Sequence, residues 1–165
     1  MKGLIALCLI LPLPALANPV DDLGKETIRW EDTELASRIS DYQLAALAIG
    51  STASMRSWEK RGAVIGAAAG QFALNYVVKR AVARERPDGS DRESFYSGHT
   101  STAAVFAGAV CLEHQAIPCA LGIGAALGVG YLRVAANRHW LTDVSVGFGV
   151  GFSAGRFLPT LVVHF

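Results

Sequence analysis

Lys79, Arg86 and Pro87 open the stretch of this chain in which residue types and spacing could do chemistry. An arginine presents a planar fork to two anionic oxygens and a lysine a compact point charge, so the pair suits a dianionic phosphoryl group. Pro87 fixes the chain where it leaves the basic segment. Alone, a basic helix end reads equally as a solvated face or a complement to the helix dipole. Ser97, Gly98 and His99 come next, directly ahead of an apolar run that starts at Thr100. A Ser-Gly turn at a helix amino terminus offers unpaired N–H groups and a hydroxyl to an anion, in the favourable field of the dipole. His99 would stand beside that anion, although a lone Ser-Gly-His also fits a capping or core histidine. The third group is Arg133, His139 and Asp143. If a helix begins near Trp140, His139 and Asp143 share one face, and the carboxylate can accept a hydrogen bond from one ring nitrogen while the other is aimed at substrate. This is a nucleophile with its orienter; in isolation it reads equally as a surface ion pair.

Helical segments must position these groups. Apolar patterning predicts four or five, near residues 42–55, 62–83, 100–111, 118–134 and 142–157, and nothing alternates as a strand should. The expected fold is therefore an all-α, compact bundle of about five helices. All three groups fall at segment ends separated by an even number of crossings, so connectivity brings them to one end, with Arg56, Glu59, Lys60 and Arg61 at the other. Glycine costs a helix about 1 kcal/mol against alanine, so Gly66, Gly70, Gly122, Gly124 and Gly128 imply close helix packing. Small residues at this density also suit membrane helices, although runs of about 14 to 20 residues are at or below spanning length. The bundle is expected to be membrane-embedded or membrane-associated. The positive-inside tendency puts the Arg56–Arg61 turn in the cytoplasm and the phosphate-handling groups outside.

A chain of 165 residues, 52% hydrophobic and 18% charged, has material for one domain with a sizeable core. Lys and Arg total 15 against 14 for Asp and Glu, which gives no reason to expect a nucleic-acid partner. Residues 1–17 read as a secretory signal, with Lys2, an apolar run and a small-x-small end at Ala15-Leu16-Ala17. An uncleaved anchor is the alternative, opposed by Pro12 and Pro14. Residues 18–41 form a polar arm, with Trp30, Leu35 and Ile39 compatible with a short surface helix, and 42–165 form the domain proper. Export permits a disulfide between Cys111 and Cys119 across a helix-turn-helix; if that turn faces a reducing compartment, two buried thiols are the other reading. His114 falls at the far end of the bundle and His164 in the tail, outside any motif. Arg84 and Arg138 are further candidates for the mouth of the site, and Arg84 could equally pair with Glu85.

The three groups, in this order, resemble the signature of the type 2 phosphatidic acid phosphatase (PAP2) superfamily, which includes bacterial class A acid phosphatases and vanadium haloperoxidases. Its first element, K-x6-RP, is met by Lys79, Arg86 and Pro87; PSGH by Ser97, Gly98 and His99; SR-x5-H-x3-D by Arg133, His139 and Asp143. Tyr96 replaces the usual Pro and Leu132 the usual Ser, changes that bear on substrate range and leave every charged or titrating group in place. The resemblance implies a phosphatase in which His139 attacks phosphorus, Asp143 orients it, and His99 protonates the leaving oxygen and then activates water. It implies that Lys79, Arg86, Arg133, the Ser97 hydroxyl and the Gly98 N–H hold the equatorial oxygens, with no metal and no cofactor. Hydrophobicity tilts the expected substrate towards a lipid phosphate or diphosphate at an inner membrane, with the site facing the periplasm. A soluble periplasmic acid phosphatase of broad specificity is the alternative. A haloperoxidase would need a longer chain for its oxidant pocket, and a silent scaffold would have no use for His99, His139 and Asp143.

Overall fold

Caps set the helix ends. Asp32 accepts a hydrogen bond from the Leu35 N–H (2.8 Å), Ser57 from Lys60 (3.2 Å) and Ser97 from Thr100 (3.4 Å), each satisfying one donor that a helix start leaves unpaired. Ala83, at φ 49°, closes the basic helix with its N–H on the Lys79 carbonyl (2.9 Å). The computed structural model describes residues 19–28 and 30–163; the signal read at 1–17 and His164 lie outside them. Among the described residues the chain forms six helices: α1 Pro19–Thr27, α2 Thr33–Ser54, α3 Trp58–Val82, α4 Gly98–Glu113, α5 Ala116–Ala135 and α6 Leu141–Val163.

The expectation of about five helices is thus corrected by α1, which lies within the stretch read as an arm. The α2 start is also earlier than expected, at Thr33 rather than near Tyr42. Charged Glu34, Arg38 and Asp41 obscure the apolar period there, yet Glu34 and Arg38 pair at 2.6 Å one turn apart, and Ala36 and Ser40 are fully buried. Ala36 packs with Leu132, Ala135 and Ala136 of the α5 end, and Trp30 and Ile39 lie against the same cluster.

At the centre runs α4, buried from Thr100 to Val110 except for the half-buried Thr102, with α2, α3, α5 and α6 around it. Its contact with α6 depends on glycines at one-turn spacing. A Cβ on Gly151 would lie 1.9 Å from the Ser101 carbonyl oxygen, one on Gly155 1.9 Å from that of Val105, and one on Gly147 2.8 Å from that of Ser97. The two backbones touch, and no rotamer change relieves the clash. Gly151→Ala is therefore expected to cost about 3 kcal/mol through overpacking, read as a lowered denaturant midpoint. Of the glycines singled out in the sequence, Gly122 and Gly128 do lie close to neighbours, Ala107 and Gln43, whereas a Cβ on Gly66, Gly70 or Gly124 would meet nothing within 4 Å.

Those open glycines lie on an outward apolar face. Residues 42–55, 62–78, 94–112, 115–132 and 144–155 contain no Asp, Glu, Lys or Arg. Within 62–78 the polar side chains Gln71 and Asn75 are buried, while Ile65, Phe72, Leu74 and Val77 are exposed, Phe72 by 70%. This is the reverse of a water-facing helix. At about 1.5 Å per residue the segment spans about 25 Å, close to the hydrocarbon core of a bilayer. Ala116–Ala135 is long and apolar enough to cross a membrane. Charges gather at the two ends of the bundle. At one, Lys60 pairs with Glu113 (2.6 Å), His114 meets the Ser54 hydroxyl (3.0 Å), and Cys111 and Cys119 form a disulfide with Cα atoms 4.4 Å apart. The other end holds the three chemical groups.

Candidate active site

Ser97 caps the start of α4 beside Gly147 of α6. Its N–H is held by the Asp143 carbonyl (3.1 Å), and its oxygen accepts from the Thr100 hydroxyl (2.9 Å), which leaves the Ser97 O–H as a donor for an anion. Gly98 passes under Asn75, whose Oδ1 would be 2.8 Å from a Cβ at that position. Asn75 in turn donates to the Tyr96 carbonyl (2.7 Å), and Gln71 donates to the Tyr96 hydroxyl (2.6 Å). Tyr96, one of the two departures from the signature, is thereby buried and doubly tied. Leu132, the other, is buried in the cluster around Ala36.

After α5 the chain turns sharply through Asn137, at φ 54°, and the N–H groups of Arg138 and His139 both reach back to the Arg133 carbonyl (3.1 and 3.3 Å). The backbone itself thus binds His139 to Arg133. His139 is 1% exposed. Its Nδ1 lies 2.8 Å from the Ser94 carbonyl and 3.9 Å from Asp143 Oδ2. The expected direct Asp143 hydrogen bond is replaced by a relay: Nδ1–H donates to the Ser94 carbonyl, while the Ser94 hydroxyl donates to Asp143 Oδ2. A carbonyl accepts only, so the contact fixes the tautomer with its lone pair on Nε2, the form a nucleophile needs. Burial above all, with the positive field of Arg133, Lys79 and Arg86, lowers the His139 pKa from 6.5 to about 4, against an opposing pull from Asp143. The ring is neutral at pH 7.

Asp143 is fully buried and saturated. Oδ1 accepts from Arg84 (2.6 Å), and Oδ2 accepts from the Ser94 hydroxyl and from the Trp140 N–H (3.0 Å), the last being the backward half of a capping box for α6. Arg84, read from sequence as a mouth residue, is instead nine-tenths buried between Asp143 and Asp21, at 2.6 Å from each. Ser94 and Asp21 escaped the sequence reading, and Arg84 was noticed there but not as the partner of Asp143. Asp21 gave no local signal.

Three cations converge here. Arg86 is held by Asp91 (2.6 Å) and by the Arg138 carbonyl (3.2 Å), while Arg138 itself turns to Asp88 (3.4 Å). Lys79 lies within electrostatic reach of both Arg86 and Arg133. Arg133 uses one nitrogen, Nη1, on the hydroxyls of Ser37 (3.0 Å) and Ser40 (3.3 Å), and its Nε is buried with no acceptor among the described residues. A buried guanidinium donor left unpaired is costly, and an anionic oxygen would satisfy it. His99 pairs through Nε2 with Asp41 of α2 at 2.9 Å, and Asp41 also lies 3.9 Å from Arg133. Asp41, hidden in a polar stretch, was missed in the sequence as well. All eight residues singled out for catalysis or phosphate binding therefore occupy one end of the bundle.

Residues 61–164 match the PAP2 superfamily. A curated relative, a lipid A 1-phosphatase from Porphyromonas gingivalis, is 33% identical over 120 residues, 69% of this chain and 26% of that protein, so the chain spans about a quarter of that relative's length. Two solved structures share the fold. Aquifex aeolicus LpxE superposes with a TM-score of 0.67 at 21% identity, covering 88% of this chain and 93% of that one. The first transmembrane PAP2 type phosphatidylglycerolphosphate phosphatase from Bacillus subtilis gives 0.70 at 23% identity, covering 98% and 92%. With Lys79, Arg86, Ser97, His99, Arg133, His139 and Asp143 all inside the matched stretch, the chain belongs to the PAP2 superfamily.

Proposed function

We propose that the protein is a membrane-embedded phosphatase that hydrolyses a lipid phosphomonoester or diphosphate through a phosphohistidine at His139. The observation that carries this reading is the buried, acceptor-less Nε of Arg133 within the field of cations around a neutral His139. Phosphate oxygens lie on Arg133, Arg86, Lys79, the Ser97 hydroxyl and the Gly98 N–H. His139 Nε2 forms the bond to phosphorus as the ester bond breaks, and His99, whose pKa is lowered to about 4 chiefly by burial but raised by Asp41 and by a bound anion, gives the proton it takes up with the substrate to the leaving oxygen. Asp143 offsets the positive charge of the modified ring. Water, its proton taken by His99, then breaks the N–P bond and releases inorganic phosphate. The charge-free, outward-apolar belt supports a lipid substrate, as do the lipid phosphates named for the two relatives with a stated substrate. Phosphatidate, phosphatidylglycerophosphate, undecaprenyl diphosphate and lipid A are the candidates, met from the periplasmic side.

The test is a panel of lipid and soluble phosphates on the purified protein, with and without chelator and vanadate. Release of phosphate from a lipid, unchanged by chelator and inhibited by vanadate, is expected. Activity lost in chelator and restored by a divalent metal would contradict the mechanism. A second reading, an enzyme lying wholly in the periplasm, is favoured by the Cys111–Cys119 disulfide at the end opposite the site. In a spanning bundle with its site outside, that turn faces a reducing compartment, where disulfides are rare. Fractionation decides: retention in carbonate-washed membranes supports the embedded enzyme, and release by osmotic shock supports the second reading.

A further inference from the structure

Asp21 is 1% exposed although it lies on a nine-residue helix at the edge of the bundle. Its carboxylate accepts from the Thr142 N–H (2.9 Å), from the Thr142 hydroxyl (2.8 Å) and from Arg84 (2.6 Å). Arg84 spends its other terminal nitrogen on Asp143 (2.6 Å) and the Thr142 hydroxyl (2.8 Å). Around this contact α1 is seated closely: Lys25 donates to the Pro87 carbonyl (3.3 Å), and a Cβ on Gly24 would lie 2.9 Å from Leu141 Cβ. An unbroken chain of bonds thus runs from α1 through Arg84, Asp143 and the hydroxyl and carbonyl of Ser94 to the ring of His139.

We propose that α1 belongs to the catalytic apparatus, with Asp21 a positioning residue that acts through Arg84 on Asp143 and His139; this rests on the phosphohistidine reading above. The reason is electrostatic as well as geometric. One guanidinium shared by two buried carboxylates leaves a net negative charge beside the ring that becomes positive when phosphorylated. Without Asp21, the whole charge of Arg84 falls on Asp143, and the modified ring loses compensation. Ground-state phosphate, held by other residues, is little affected.

Asp21→Asn keeps the size of the side chain and removes the charge. Expected are a fall in kcat of about 10- to 100-fold with KM within about threefold of wild type, and vanadate inhibition weakened in parallel with kcat/KM while inhibition by inorganic phosphate is unchanged. Thr142→Val, which leaves both Asp21 and Arg84 charged, is expected to lose a smaller part of kcat with the same split, and serves if the Asn variant does not fold. A folded Asp21→Asn protein with wild-type kcat overturns the proposal. So does an equal loss of vanadate and phosphate affinity with a lowered unfolding midpoint, the mark of a merely structural contact. NMR titration of the His139 ring in the full-length protein provides a readout without turnover: its pKa falls further in Asp21→Asn, and an unchanged titration also overturns the proposal. Absence of phosphatase activity in the wild type would instead sink the underlying function, which the titration does not depend on.

Discussion

His139→Ala is expected to lower kcat on a lipid phosphate by about 10,000-fold, with the protein still folded. The size follows from what is lost. His139 combines a neutral imidazole, a tautomer fixed by the Ser94 carbonyl and the surrounding field of Arg133, Lys79 and Arg86. His99, the other histidine at this end of the bundle, is held through Nε2 by Asp41 and is assigned to the proton transfers. Alanine leaves a cavity on a short turn between α5 and α6, whose backbone bonds to Arg133 remain, so folding is disturbed less than chemistry. The same geometry sets a pH dependence. An imidazole with its pKa near 4 is unprotonated above that value, so the nucleophile is lost only as pH falls through about 4. The acidic limb of kcat/KM in the wild type should therefore lie well below 6.5, as a pH–rate profile on a stable lipid substrate will show.

Asp143→Asn is expected to cost about 1,000-fold in kcat and several kcal/mol in stability. Both oxygens of Asp143 only accept, and the donors around them are Arg84, the Ser94 hydroxyl and the Trp140 N–H. An amide nitrogen must face at least one of these donors. If it faces Arg84, a buried guanidinium loses half of its charge compensation; if it faces Ser94, the carbonyl that holds His139 Nδ1 is pushed away. Either outcome misaligns the ring, and loss of the carboxylate removes the charge that offsets the modified imidazole. Kinetics and a denaturation curve on the same preparation separate the two effects. A folded variant with more than a tenth of wild-type kcat would contradict the role given to Asp143.

The sequence made the phosphate-handling end of this bundle legible because its chemistry is written in local spacings. Lys79, Arg86 and Pro87 lie on one helix exit, Ser97 to His99 on one helix start, and His139 and Asp143 one turn apart. Contacts between distant parts of the chain left no such mark. Asp21 meets Arg84 from 63 residues away, and Asp41 reaches His99 from another helix. The relay through Ser94 was unreadable for a different reason: its key atom is a backbone carbonyl, which carries no residue identity. Glycine was legible as a packing signal but not in its place, since helix rotation decides whether a glycine faces a neighbour or the outside. Gly151 and Gly155 touch α4, whereas Gly66 and Gly70 open onto the apolar face. The start of α2 was hidden because residues beyond the charge-free belt are free to be polar while still helical.

The most direct measurement is rapid quenching of wild-type enzyme with a phosphorus-labelled lipid substrate, followed by peptide mapping of the trapped protein. The phosphohistidine account predicts an acid-labile, alkali-stable phosphoryl group on the peptide that contains His139, formed and discharged at rates that account for turnover. A phosphoryl group found on His99, or turnover with no trapped phosphoenzyme under any quench, would contradict it.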